Sequence, residues 1–528
     1  MKRILSVLLS LPLAYSCSIA QNPSKFANQI TEESSKNHLT ILASQDFAGR
    51  GTGQKGGEKA VKYIADQFKV FGLKPIVNGS YFQPVSLKQT SYKVEAFHLD
   101  TQELKYGIDF YVQGDNTFTT FQTNEIIFVG YGIQDEKFNE LKGLDVANKV
   151  ILLINEGEPI DEKGNSIITG TSNKSSWSAS RLKRLQELIK LKPKLILSTS
   201  SENEAMIKRM NNRSIMGRVA LDKDNSTSMT TISTPVVHIK PEMANMLLAQ
   251  IGTSVEKFKA EITSIPLPTK SIKATLQASM GVQIEKLNDP NVLGYLEGTD
   301  LKEEVIVVSG HWDHDGILPD GTFFPGADDN GSGTVAVMEL AKAFTQAKKE
   351  GKGPRRSILF IGLAAEEKGL LGSQYYVENP IIPLSQTVAC INIDMIGRID
   401  NKHLNGDHNY IHVIGVNKLS SDLRPIVEMA NAETKMILDY DYDDPAEPMR
   451  LYYRSDHYNF AKNGIPSLFF FSGLHPHYHT PEDTVDKIDF PMMVKRERHI
   501  FQTVWEIANR DKKPVVDLPL EDAKGTGR

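Results

Sequence analysis

From residue 285 to residue 471 the chain alternates short, continuous apolar runs with segments of helical periodicity, and this pattern restricts the fold more than any other feature. The runs at 305–309, 357–363, 387–393, 411–416 and 467–471 carry apolar residues without a polar alternation, and helical patterns occupy 334–347 and 370–377 between them. Strands of this kind are buried on both faces, as in a largely parallel sheet covered by helices. The expected fold is α/β, with a mixed, largely parallel central sheet flanked by helices. In such sheets ligands collect outside the carboxyl ends of the strands.

The segments before residue 285 read differently. Ala60, Val61, Ile64, Phe68 and Phe71 repeat at helical spacing, and Gly72 with Pro75 supplies a stop. Ahead of them, Phe47-Ala48-Gly49-Arg50-Gly51-Thr52-Gly53 is too glycine-rich for regular structure and reads as a loop. Between about 100 and 280, short apolar strands such as 126–129 and 150–154 alternate with polar loops and one basic helix near 181–190, whose Arg181, Lys183, Arg184 and Lys190 read as a solvated exterior. Nothing there clusters metal ligands. The expected organisation is a leader at 1–20, a first part of the main domain at 21–100, a β-rich insert at 101–280, the rest of the main domain at 281–512 and a tail at 513–528.

A length of 528 residues, 40% hydrophobic and 24% charged, suits an ordinary globular chain of more than one domain. The formal net charge of −5 gives no basic surface for nucleic acid. Lys2 and Arg3, the apolar run at 4–13 and the small residues Ser18 and Ala20 form the three-part pattern of an export signal, with cleavage expected after Ala20. That run is far short of the roughly 20 residues that span a bilayer, and no later segment is long enough. The expected location is periplasmic or secreted, with a lipid anchor at Cys17 as the competing reading. Cleavage after Ala20 leaves Cys390 as the remaining cysteine, in an apolar strand pattern that suits a buried, inert thiol.

Residues with metal-ligating side chains follow each strand. The first strand ends in Gly310-His311-Trp312-Asp313-His314, the second in Ala364-Ala365-Glu366-Glu367 and the third in Ile393-Asp394. The last leads to His475-Pro476-His477-Tyr478-His479, and Gly326-Ala327-Asp328-Asp329 opens a helix between the first two. Alone, Asp329 reads as a helix cap and each histidine as structural. Together these residues meet at one edge of the sheet. Mixed imidazole and carboxylate ligation suits zinc, with cobalt or manganese as alternatives. A pair of such ions about 3.5 to 4 Å apart needs a bridging carboxylate and can activate water and polarise a carbonyl.

The motifs His311-Trp312-Asp313, Gly326-Ala327-Asp328-Asp329, Glu366-Glu367, Asp394-Met395 and His479-Thr480 resemble those of the family twenty-eight metallopeptidases, in the family's order. That family includes bacterial di-zinc aminopeptidases and, more distantly, glutamate carboxypeptidases and glutaminyl cyclases. The resemblance extends to Gly49-Arg50-Gly51-Thr52-Gly53 and its following helix. It implies two zinc ions per chain, with Asp329 bridging, His311 and Asp394 completing one site, and Glu367 and His479 the other. It further implies Glu366 as the general base, moving a proton from the attacking water to the leaving amine, and Asp313 as the residue that orients His311 through its second ring nitrogen.

Some positions stay open on the sequence. His475, His477 and His479 are all candidates by composition, and His479 alone precedes the Thr480-Pro481-Glu482-Asp483-Thr484 run of the family pattern. His314 and Asp315 are expected to shape their loop. Arg454-Ser455-Asp456-His457 resembles a pocket segment of the family, and Tyr452, with Tyr453 as competitor, is the expected oxyanion donor. The acidic run 439–444 reads as a solvated loop, an amine attractor or a calcium loop. Phe128-Val129-Gly130-Tyr131-Gly132-Ile133 and Asn148-Lys149-Val150-Ile151-Leu152-Leu153 resemble the protease-associated domain often inserted in this family, bordering the cleft. The implied function is an exported exopeptidase acting on peptide N-termini. Alternatives are a carboxypeptidase or dipeptidase, a glutaminyl cyclase, or an inactive peptide-binding protein. Oligomeric state and side-chain preference carry no motif.

Overall fold

The computed structural model describes residues 23–520 apart from 115, 211–215, 224–233 and 261–269. The expected export signal and Cys17 therefore lie outside the described residues. The chain forms two units, one made of residues up to Val85, Asp289–Gly316 and the residues from Phe323 onward, the other of Ser86–Asn288 and Ile317–Thr322.

The first unit is built on a sheet whose strands we number β1 (Leu276–Leu296, entering this unit at Asp289), β2 (Leu301–His311), β3 (Arg356–Leu363), β4 (Thr387–Ile393), β5 (Tyr410–Ile414), β6 (Ile437–Asp439) and β7 (Ser467–Phe471). Their order across the sheet is β6-β5-β7-β4-β2-β3-β1. β2 runs parallel to β3 and β4, β4 parallel to β7, and β5 parallel to β6, whereas β5 with β7 and β1 with β3 are antiparallel. The α/β fold read from the apolar runs is what forms, and its physical cause is visible in burial: β3, β4, β5 and β7 are buried along their whole length.

The three longest helices among the described residues of this unit are Lys55–Phe71, Gly333–Lys349 and Phe490–Asn509, here α1, α2 and α3. α1 (Lys55–Phe71) buries Ala60, Val61, Ile64, Ala65 and Phe68, and it stops where Gly72 takes φ 97° and returns its N–H to the carbonyls of Phe68 and Lys69. α2 (Gly333–Lys349) is buried on most of its circumference. α3 (Phe490–Asn509) starts where the Asp489 side chain accepts the Met492 N–H, and its Phe501 ring lies 4.4 Å from that of Phe344 on α2. Cys390 is buried on β4, and burial pushes its thiol far above the ordinary range, as expected for an inert packing residue. Among the described residues no helix is long and apolar enough to cross a membrane.

The second unit carries its own sheet, in which Ile126–Phe128, Val150–Ile154, Leu195–Thr199 and Val236–Ile239 pair in parallel, with Lys270–Ile272 and Phe110–Gln113 added antiparallel at the two edges. The basic helix forms at Arg181–Lys190, but its face is not wholly solvated. Arg184 is fully buried and donates to the carbonyls of Trp177, Ile154 and Gly157, which repays the desolvation of its guanidinium.

Candidate metal centre

Because β2, β3 and β4 run parallel, with His311 in register with Leu363 and Ser309 with Asn392, the segments that follow them leave the same edge of the sheet. The loop before α2 and the turn after β7 reach that edge as well. Their side chains converge in two groups that share Asp329.

In the first group, His311 Nε2 lies 3.5 Å from Asp329 Oδ1 and 3.4 Å from Asp394 Oδ1. The ring is fixed from its other side, where Nδ1 donates to the backbone carbonyl of Asp313 at 3.0 Å. A carbonyl can only accept, so Nδ1 carries a proton and Nε2 is the nitrogen that faces the carboxylates, with a lone pair there whenever the ring is neutral. Asp394 is held by Ser455, whose hydroxyl donates to Asp394 Oδ2 at 2.6 Å.

In the second group, His479 Nε2 lies 3.1 Å from Asp329 Oδ2 and 3.3 Å from Glu367 Oε2, while its Nδ1 lies 3.2 Å from Asp315 Oδ2. Asp329 therefore offers one oxygen to each group. His479 and Met395 take φ values of 53° and 55°, in the left-handed region that side chains other than glycine seldom adopt and that clusters at functional positions.

Two imidazole lone pairs and three buried carboxylates pointing at common points would repel one another without a cation. Burial by itself would lower the pKa of His311, but Asp394, Glu366 and Asp329 raise it well above the usual value. His479, likewise opposed by burial, is raised to about 11 by Asp315, Asp329 and Glu367. Divalent metal relieves this crowding, and nitrogen with carboxylate oxygen is a donor set suited to zinc. His311, Asp329 and Asp394 can hold one ion, and Asp329, Glu367 and His479 another.

Glu366 stands beside these groups, its Oε2 3.9 Å from His311 Nε2. It lines a cavity together with Asp329, Asp394, Met395, Leu451, Arg454, Phe469, Phe471, Leu474 and Tyr478. Burial first, then the charges of Asp394, Glu367 and Asp456, pushes its pKa well above the ordinary carboxylate range, with His311 opposing.

Several expected residues act differently from the sequence reading. Asp313 meets the His311 ring through its backbone carbonyl, whereas its carboxylate accepts the Glu366 N–H at 3.0 Å, the Glu367 N–H at 3.4 Å and the Thr52 hydroxyl at 3.1 Å. Tyr452 does not line the cavity. It packs in an apolar cluster with Met395, Ile414, Leu419, Phe469 and Phe471, with the Lys418 ammonium 5.0 Å from its ring centre, and Tyr478 and Arg454 take the cavity wall. His475 Nε2 is 3.3 Å from Asp328 Oδ2, and Arg398 donates to His477 Nδ1 at 3.1 Å, so neither joins the two groups. His314 and Asp315 do more than shape a loop, since His314 Nδ1 lies 2.9 Å from Glu367 Oε1 and Asp315 faces His479. The 439–444 run is not a solvated loop throughout. Asp439 and Asp443 are buried, the latter accepting the N–H groups of Gly415 and Asn417.

The sequence profile of peptidase family M28 matches residues 291–504, which contain every residue of both groups. A probable leucine aminopeptidase of Arthroderma otae is 30% identical over 290 residues, a match covering 51% of this chain and 76% of that protein. The chain belongs to peptidase family M28. Aminopeptidase YwaD of Bacillus subtilis is 28% identical over 242 residues, covering 42% of this chain and 46% of that one. An aminopeptidase from Aneurinibacillus sp. strain AM-1 shares the fold, with a TM-score of 0.50 and 19% identity over 95% of this chain and 100% of that chain. As a member of family M28 the protein is a hydrolase of the metallopeptidase class.

Two residues within the family-like segments, to which the sequence assigned no role, receive one from the structure. Arg50, fully buried, donates to the carbonyls of Leu42, Trp312, Pro325, Gly326 and Asp329 at 2.7 to 3.4 Å. It thus ties the loop carrying Asp329 to the one carrying His311. Asp483 accepts the N–H groups of Asp328 and Asp329 at 3.0 to 3.1 Å and holds the same loop from the other side. This gives the glycine-rich Arg50 loop a role within this family M28 chain. The sequence marked this segment by its resemblance to the family but not by a role, because an arginine among glycines has no periodicity to read.

Proposed function

We propose that this chain is an exported zinc-dependent aminopeptidase with two zinc ions per centre. The observation that carries the reading is Asp329, whose two oxygens face His311 and His479 separately, as a carboxylate between two ions must. When bound, the zinc ions supply a Lewis acid for the scissile carbonyl and a water made acidic near neutral pH.

The chain's own residues do the rest. Glu366, beside the groups rather than within them, accepts a proton from the attacking water on its carboxylate and delivers it to the leaving amine. Asp313 holds that carboxylate in place through the backbone of Glu366. Arg454 and Tyr478 present N–H and O–H donors to the cavity, where charge on the former carbonyl oxygen can be stabilised. Met395, Leu451, Phe469, Phe471 and Leu474 make the wall apolar, which suits an apolar N-terminal side chain; the leucine aminopeptidase names of the relatives agree with this. The preference for the amino end over the carboxyl end of a peptide is supported by the relatives, whose names are those of aminopeptidases.

Residues 101–280 are proposed to form a protease-associated domain, and the signal at the N-terminus to direct export. A leucyl peptide and its N-acetylated counterpart separate the readings. Free leucine is expected from the first, with at least a hundredfold lower rate from the second; equal cleavage of both would rule out an aminopeptidase.

A further inference from the structure

Outside this centre, the first unit holds a second group of metal-ligating side chains. Asp400 lies in the segment that follows Asp394, His403 in the next turn, His412 in the middle of β5 and Asp439 at the end of β6, in register with His412. Asp400, His412 and Asp439 are buried and His403 is partly so.

The contacts have a definite order. Asp400 faces one nitrogen of each ring, with Oδ1 2.7 Å from His403 Nδ1 and Oδ2 2.8 Å from His412 Nε2. Asp439 faces the other nitrogen of each, 3.7 Å from His403 Nε2 and 3.4 Å from His412 Nδ1. A neutral imidazole has one N–H, so each ring can satisfy one carboxylate and must turn a lone pair toward the other. Lys402 pairs with Asp439 and Asp441. With both rings neutral, three carboxylates stand against one ammonium, a net charge of −2 that a single divalent cation cancels.

We infer that Asp400, His403 Nδ1 and His412 Nε2 bind one divalent cation, zinc by the chemistry of the donors, with the Asp439 carboxylate standing behind both rings, nearer to His412 Nδ1. One ligand atom from each of the three residues lies within 4.8 Å of the others. A carboxylate behind the ligating imidazole is the usual means of fixing its tautomer and raising its basicity. The rings are already held: His403 stacks on Tyr410 with centroids 3.5 Å apart, and His412 lies 4.4 Å from Tyr442. Asp400 is positioned by its own N–H, which donates to the Tyr410 hydroxyl at 2.8 Å, and lies against Gly473, where any Cβ would strike the carboxylate. The cation would anchor the far end of the segment that starts at Asp394.

Crystals of the full chain grown with zinc, measured at the zinc absorption edge, test this directly. An anomalous peak among Asp400, His403 and His412 is expected, and elemental analysis should show one equivalent less in His403→Asn than in the unaltered chain. The same difference of one equivalent is expected when both are compared in an Asp329→Ala background, which separates this ion from those of the centre. No peak here while the centre is filled, or a metal content that His403→Asn leaves unchanged, would overturn the inference. A peak here with none at Asp329 would uphold it and defeat the proposed function instead.

Discussion

Exchanging Glu366 for glutamine is expected to lower kcat about 10²- to 10⁴-fold while zinc content and KM change little. The carboxyl group contributes a proton acceptor next to the two groups without belonging to either, and glutamine keeps its size while removing that function. Its Oε2 is farther from His311 Nε2 than either Asp329 or Asp394 is, at 3.9 Å against 3.5 and 3.4 Å. Metal should therefore stay. Rates measured by product release, with zinc counted in the same sample, check this; a variant that loses metal together with activity would place Glu366 among the ligands.

Exchanging Arg50 for methionine is expected to cost about 3 to 5 kcal/mol of stability and to weaken metal retention, although Arg50 touches no proposed ligand side chain. Its guanidinium satisfies buried carbonyls on three separate segments, at Leu42, at Trp312 and at 325–329. Methionine fills the space and leaves those carbonyls unpaired, at about 1 to 3 kcal/mol each where nothing relaxes. The positive charge also offsets Asp483, Asp329, Asp313 and Glu367, which hold up the Arg50 pKa against the burial that depresses it to about 10. Denaturant unfolding and zinc content measure both effects. An unchanged unfolding midpoint would show that the loop does not depend on Arg50.

The parts of this protein that could be read from sequence are those where one local rule acts. Continuous apolar strands gave the sheet, and the parallel order of β2, β3 and β4 carried His311, Glu366, Glu367 and Asp394 to a common edge. His479 could be distinguished from His475 and His477 by the run after it, and in the structure it faces Asp329 and Glu367 while the others face Asp328 and Arg398. What escaped were residues whose role depends on partners far along the chain. Arg50 meets carbonyls more than 260 positions away, and Arg184 turns inward from an otherwise basic helix. Asp439 looked like one member of an acidic surface run until His412 on the neighbouring strand was placed beside it. Tyr452 shows the reverse, since closeness in sequence to Arg454 did not bring it to the cavity wall.

Removing and returning metal, followed on a leucyl peptide, tests the central claim most directly. Full chain treated with a strong chelator and freed of it should lose hydrolysis more than a hundredfold, and should regain it when zinc is added back, with recovery complete near two equivalents bound at the Asp329 centre. Undiminished release of leucine from chain shown to be free of metal would contradict the account.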